Sequence, residues 1–354
     1  REDGENTLIS PLSVLSALAM TANGARGETL RQMESVLGMT ADELNRYLYS
    51  YVQFLPRGDK YTLHLANSIW FTDDSRFTVE ESFLQTNADY YRAAAYKAPF
   101  DNRTVKDINN WVKRETDGMI PKVLDGLSPK AVMYLVNALA FEAEWTKYYE
   151  KHQVRDAVFT KEDGTKQDIE LMYSNEGMYL EDERATGFVK YYSGYKYAFA
   201  ALLPNEGVTV DEYLASIDGT ALSNLLSGAQ SASVSAAIPK FESEYSIELS
   251  KTLTNMGMND AFDEEKADFS GLGTYTDIVD YNIYINRVIH KTHIKVGEKG
   301  TKAGAVTVVE MGKADSASDP NERKSVCLDR PFVYMLIDCE NNIPFFIGTV
   351  MDMD

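Results

Sequence analysis

The stretch Glu298-Lys-Gly-Thr-Lys-Ala-Gly-Ala-Val-Thr-Val-Val309 reads as a β-strand written where a loop is expected. In an extended chain alternate residues face opposite sides. Thr301, Ala303, Ala305, Thr307, Val309 and Met311 then share one face, and Lys302, Gly304, Val306, Val308, Glu310 and Gly312 share the other. The first face is small, neutral and fit for burial, because Lys302 and Glu310 both fall on the second. The parity breaks at Lys313 and Asp315, which would bring charge onto the neutral face, and a polar run from Asp315 to Ser325 follows. The segment is spare sheet that ends near Gly312.

The rest of the chain has room to receive such a strand. It has 354 residues, 44% of them hydrophobic, enough for a large core. No linker rich in Pro, Gly or Ser divides it and no repeat appears, so residues 1–354 are expected to form a single domain. A formal net charge of −19 opposes phosphate backbones and anionic lipid, which argues against nucleic acid and membrane as partners. No apolar run approaches the roughly 18 to 20 residues that span a bilayer. No signal peptide is apparent, and the chain opens abruptly, as a processed fragment would. Cys327 and Cys339 read as two buried free thiols, since two cysteines make neither a disulfide framework nor a metal site.

Periodicity and punctuation predict helices over Ser10–Met20, Thr29–Leu37, Ala41–Phe54, Val79–Ala93 and Val105–Leu124. The first opens with a Ser cap and Pro at the leading helical position. Apolar, β-branched and aromatic runs predict strands over Leu63–Phe71, Ala131–Phe141, Tyr195–Pro204, Val234–Lys240, Tyr281–Val296, Val326–Asp338 and Pro344–Met351. The class is α+β with large mixed sheets. Ala131–Phe141 is apolar on both faces except at Asn137, which suits a central strand and leaves Asn137 a buried amide in need of partners.

Enzyme readings find little support. Only His64, His152, His290 and His293 are present, and no Gly-x-Ser-x-Gly elbow accompanies them. His290-Lys-Thr-His293 looks metal-like, yet on a strand the two rings turn to opposite faces, so no metal is expected. Gly297–Lys302 lacks the spacing and the Lys-Ser/Thr ending of a phosphate loop, and no cofactor is implied.

Four separated segments, in order, resemble the serpin family over nearly the whole chain. Asn6-Thr-Leu-Ile-Ser-Pro-Leu-Ser-Val-Leu-Ser-Ala-Leu-Ala-Met20, followed by Gly24-Ala-Arg-Gly-Glu-Thr-Leu30, is similar to the family's second helix and its sequel. Val136-Asn-Ala-Leu-Ala-Phe-Glu-Ala-Glu-Trp145 resembles its Asn- and Trp-bearing strand and turn. Glu298-Lys-Gly-Thr301 matches its hinge, and Val326-Cys-Leu-Asp-Arg-Pro-Phe-Val-Tyr-Met-Leu336 its C-terminal signature. The resemblance implies a metastable fold of three β-sheets with about eight or nine helices and an exposed reactive-centre loop near 298–325. It implies a suicide-substrate inhibitor of serine proteases rather than an enzyme. The protease attacks the loop, and the cut loop then enters the main sheet, trapping the acyl-enzyme.

Residue by residue, the resemblance assigns a hinge at Glu298, Gly300, Thr301, Ala303, Gly304, Ala305, Val306 and Thr307. The family's register, counted from Gly300 and Thr301, places the scissile bond at Ala314-Asp315, which suits an elastase- or subtilisin-like target. The loop is a few residues longer than usual before Arg330-Pro-Phe332, and a shifted cut would fall at Lys313, inviting a trypsin-like protease, or at Met311 or Ala317. Ser10, Ser13, Asn137 and His290 match the shutter beneath the sheet. Trp145, Lys240, Lys291 and Glu298 match the breach where the loop first enters, with a salt bridge expected between Lys240 and Glu298.

A non-inhibitory relative, acting as a binder or chaperone-like carrier, is the competing reading; the small neutral hinge favours inhibition. Glycosaminoglycan activation is not expected, because Ala41–Phe54 offers Arg46 alone against Asp42 and Glu43. A monomer acting outside the cell is expected by family analogy. Family members begin with a long helix of which at most the tail, Arg1–Glu5, is expected here, the rest being missing or supplied separately, and Asn102-Arg-Thr104 reads as a surface turn.

Overall fold

The computed structural model describes residues 4–128, 130–276, 282–301 and 323–353. Among these residues eight α-helices and three sheets form, an α+β architecture. The helices are α1 (Pro11–Ala22), α2 (Gly27–Leu37), α3 (Ala41–Phe54), α4 (Glu81–Tyr91), α5 (Asn102–Glu115), α6 (Val210–Ser216), α7 (Gly219–Ser227) and α8 (Ser250–Asn255). The first eight strands are β1 (Thr7–Ile9), β2 (Tyr61–Thr72), β3 (Phe77–Val79), β4 (Ala94–Ala98), β5 (Met133–Glu144), β6 (Val154–Thr160), β7 (Lys166–Glu181) and β8 (Ala185–Tyr191). Then come β9 (Tyr197–Pro204), β10 (Gln230–Pro239), β11 (Phe241–Glu248), β12 (Gly273–Tyr275), β13 (Ile289–Gly297) and β14 (Gly300–Thr301). Last are β15 (Arg323–Cys327), β16 (Phe332–Asp338) and β17 (Ile343–Val350).

A six-stranded sheet runs in the order β11-β13-β14-β5-β2-β4. A nine-stranded sheet follows the path β1-β17-β16-β9-β8-β7-β10-β15, with β6 paired to β7, and β12 pairs with β3. The main core lies between the two large sheets, where Phe141, Trp145, Tyr192, Tyr197, Phe199, Tyr334 and Phe345 are buried. Burying each of these large side chains contributes on the order of 2 kcal/mol. Helix α1 lies in the same core, with Leu12, Leu18, Ala19 and Met20 buried.

Local signals account for the helix ends. Ser10 caps α1 by accepting from the Ser13 N–H, and Thr40 and Glu43 form a reciprocal capping box on α3. The predicted helix over Val105–Leu124 ends early, at Glu115, because Asp117 and Gly118 adopt left-handed backbone at φ 48° and 80°. Asn109 ties the following segment back, accepting from the Val123 and Leu124 N–H groups and donating to the Leu124 carbonyl. The predicted helix over Val79–Ala93 also shortens, since Val79 pairs with Gly273 in the small sheet. Asn102-Arg-Thr104 opens α5 behind an Asp101 cap instead of forming a turn, with Thr104 buried. The predicted strand over Val326–Asp338 divides at Arg330-Pro331 into β15 and β16. Cys327 and Cys339 are free and half-buried rather than fully buried, and burial raises both thiols to about 12.

Candidate functional site

The six-stranded sheet holds a slot between β5 and β13. On one side β5 pairs with β2 from Phe71↔Met133 to Tyr61↔Ala143, and β13 pairs with β11 from Glu248↔Ile289 to Phe241↔Val296. Toward each other, among the described residues, they share β14 alone. Gly300 and Thr301 pair with Glu144 and Ala143 on one edge and with Gly297 and Val296 on the other. Below that seat, among the described residues, no strand joins β5 to β13. A cavity of about 180 Å³ opens there, lined by Ser13 and Ala17 of α1, Leu135 and Asn137 of β5, and His290 and Lys291 of β13. Two β edges facing one another unpaired is a costly arrangement that folded proteins rarely leave standing.

The four residues expected at the shutter come together at this slot, three of them lining its cavity. The Ser10 N–H donates to His290 Nε2 at 3.0 Å, and Ser10 Oγ accepts from the Ser13 N–H at 3.1 Å. Ser13 Oγ donates to Asn137 Oδ1, whose amide in turn donates to Asn67 Oδ1 at 2.7 Å. Asn67 lies directly across from Asn137 in the β2–β5 ladder and closes the chain by donating to the Tyr91 carbonyl at 2.9 Å. Asn67 is a member that sequence reasoning missed. Its signal was the polar pair Asn67-Ser68 inside an otherwise apolar strand. Since His290 Nε2 accepts, the ring is neutral, and burial pulls it down to about 4. Asn137 is half-buried rather than buried, because it borders the cavity.

At the other end of the slot stand three of the four residues expected at the breach, Trp145, Lys240 and Glu298. Trp145 is buried, and its indole N–H donates to the Gly297 carbonyl at 2.8 Å while its backbone N–H donates to Lys299 O at 2.8 Å. Lys240 lies 2.6 Å from Glu298 and 2.9 Å from Glu170. Partial burial would raise the Glu298 carboxyl, but Lys240 more than reverses this and holds it below the usual range. Lys291 does not belong to this group. It follows His290 in the far half of β13, lines the cavity beside the shutter and pairs with Glu244 at 2.6 Å. Adjacency to a shutter residue in a strand excludes it from the opposite end of the same strand.

Of the residues expected at the hinge, Glu298, Gly300 and Thr301 lie among the described ones. Thr301 is buried and its hydroxyl is hydrogen-bonded to Tyr192 OH, so the first member of the neutral face points into the core. Gly300 is required by close approach, since a Cβ there would lie 1.9 Å from the Ala143 carbonyl oxygen. Ala303, Gly304, Ala305, Val306 and Thr307 lie outside the described residues, as do Met311, Lys313, Ala314, Asp315 and Ala317. Among the described residues no cluster of His, Cys, Asp and Glu suits a metal ion, and no helix is long and apolar enough to cross a membrane.

Comparison with known proteins agrees with this geometry. A family model described as serpin (serine protease inhibitor) matches residues 1–353. Human Serpin B8 is 30% identical over 98% of the chain and 93% of its own length. An uncharacterized serpin-like protein of Thermococcus kodakarensis is 29% identical over 99% of the chain and 81% of its own length. The thermophilic serpin tengpin in its native state matches with a TM-score of 0.92 at 48% identity, covering 99% of this chain and 90% of that one. The same protein in its latent state matches at 0.88 and 45%, covering 100% and 93%.

Proposed function

The chain belongs to the serpin family, and from that premise we propose that it is a suicide-substrate inhibitor of serine proteases that works by inserting its cut loop between β5 and β13. The observation that carries this reading is the seat of Gly300 and Thr301 at the mouth of a slot that no other described residue fills. Continuing both registers one residue at a time sets Ala303 between Phe141 and Ile294, and Ala305 between Leu139 and Thr292. Thr307 then arrives between Asn137 and His290, at the shutter, and Met311 reaches Met133, where β5 begins. The slot therefore runs out beside the position where the loop's neutral parity breaks at Lys313.

Insertion has the driving force to compete with hydrolysis. Each new ladder hydrogen bond contributes on the order of 1 kcal/mol net, so a strand of about ten residues releases roughly 10 kcal/mol. That is comparable to the stability of a whole domain. The target's serine attacks the carbonyl carbon of Ala314, its oxygen forms the ester, and the C–N bond to Asp315 breaks with the proton passing to the new amine. This chain supplies the bond and the spring; the protease supplies the chemistry. Small residues at Ala303, Gly304 and Ala305 admit the hinge with little steric delay, and Ala314 suits an elastase- or subtilisin-like enzyme.

The test mixes the protein with elastase-, trypsin-, chymotrypsin- and subtilisin-type enzymes. A denaturant-resistant adduct is expected with the elastase- or subtilisin-type enzyme, with mass spectrometry placing the cut after Ala314. Adduct only with trypsin moves the cut to Lys313. Cleavage of the loop with no adduct from any of the four overturns the inhibitory reading and leaves a carrier role. Action outside the cell belongs to the same reading, and fractionation of the producing organism tests it.

A further inference from the structure

A buried ion pair lies behind the breach, contributed by strands of the other large sheet. Lys190 of β8 is 3% exposed, and its ammonium lies 2.8 Å from Glu176 of β7. Ser174 Oγ donates to the same carboxylate at 2.6 Å, and Tyr149 OH is 3.3 Å from Ser174 Oγ. The Lys190 ammonium also faces two aromatic rings, 4.4 Å from the centroid of Tyr149 and 5.3 Å from that of Trp145. The surroundings look built for the pair, for β10 carries a bulge between Ser231 and Val234, opposite Glu176.

The aromatic members of this cluster lead to the seat of β14. Tyr149 donates its backbone N–H to the Glu298 carbonyl at 3.0 Å. Trp145 holds Gly297 and Lys299 through the bonds described above, and it stacks on Tyr192 with centroids 4.4 Å apart and planes 7° from parallel. Tyr192 in turn binds the Thr301 hydroxyl. Gly297, Glu298, Lys299 and Thr301 are thus each bound by one of three aromatic residues, two of which lie under a single buried ammonium.

We propose that the Lys190–Glu176 pair is a positioning device for strand insertion, fixing the aromatic stack that aims the first inserted residues into the slot; this rests on the inhibitory reading. A buried ion pair is seldom retained for stability, since apolar residues of similar volume commonly hold a fold as well or better. Its charges do supply a single preferred geometry. The Lys190 ammonium has one carboxylate and two ring faces to satisfy, and this fixes where Tyr149 and Trp145 sit.

The experiment compares wild type with the charge-free double variant Lys190→Met/Glu176→Leu. Each is nicked in the loop with a low dose of subtilisin, and the gain in melting temperature is followed over time. The trapping ratio, moles of inhibitor consumed per mole of protease trapped, is measured in parallel. Intact double variant is expected to melt at or above the wild-type temperature, yet to insert about tenfold more slowly and to show a raised trapping ratio. Protease association is expected to stay at the wild-type rate, because neither Lys190 nor Glu176 belongs to the loop segment that the protease would bind. A double variant that inserts and traps as wild type does overturns the positioning role. A wild type that gains no stability on nicking sinks the inhibitory reading, and this proposal with it. Should the double variant not fold, Ser174→Ala keeps both charges and removes the hydroxyl joining Glu176 to Tyr149. It is expected to slow insertion about threefold, and an unchanged rate counts against the pair.

Discussion

His290 joins burial, hydrogen bonding and pH in one side chain. Its ring is neutral and accepts the Ser10 N–H, and burial lowers it to about 4 from an ordinary value near 6.5. Above about pH 6.5 neither the folded nor the unfolded chain binds this proton. Between about pH 6.5 and 4 the unfolded chain takes it up and the folded one does not, so the folded state loses about 3 kcal/mol over that window and no more below it. Thermal melts from pH 7.5 to 4 are expected to fall more steeply for wild type than for His290→Gln, which lacks the titration. Equal slopes would show that the ring is not buried neutral. Gly300 makes a second prediction at this scale. Gly300→Ala pushes a methyl group into the Ala143 carbonyl, and is expected to cost about 1 to 3 kcal/mol. The displaced turn should also alter Trp145 emission, because Trp145 bonds to both Gly297 and Lys299.

Among the elements, the strand that the slot awaits is the most sensitive to charge. Ala305→Glu would bring a carboxylate between Leu139 and Thr292, where removing it from water costs several kcal/mol. The variant is expected to be cleaved without forming an adduct, and an undiminished adduct yield on a gel would contradict the register. Elements were legible in the sequence where their signal was local. The caps at Ser10 and Thr40 and the loop's alternating parity needed no partner to be read. Strand β7 was missed because Lys166-Gln-Asp-Ile-Glu170 is polar by itself and becomes a strand only through β6, β8 and β10. The overlong helix prediction past Glu115 followed Ile120 and Leu124, whose spacing continues the helical period although the backbone has already turned away at Asp117. Lys291 was misplaced because neighbourhood in sequence does not say which end of a strand meets which site. Lys190 and Glu176 are twelve or more residues apart on different strands, and only the sheet brings them together.

For the whole molecule, the two large sheets enclose the main core, while among the described residues one of them has no strand between β5 and β13 below β14. On the inhibitory reading the chain is held above its lowest free energy by the lack of a cut, not by the lack of a site. Nicked protein is expected to melt well above intact protein, by an amount corresponding to roughly 10 kcal/mol of added pairing. Calorimetry of both forms decides this, and equal melting temperatures would show that the slot stays empty.

Backbone amides and carbonyls carry no address. The facing edges of β5 and β13 discriminate by parity and side-chain size, not by whose chain offers them. A neighbouring copy whose tether reaches across would satisfy the same ladder. If the slot accepts a strand as proposed, crowding and warmth would set a ceiling on how much of this protein stays dispersed, and dilution would become part of how such a molecule stays fit for use.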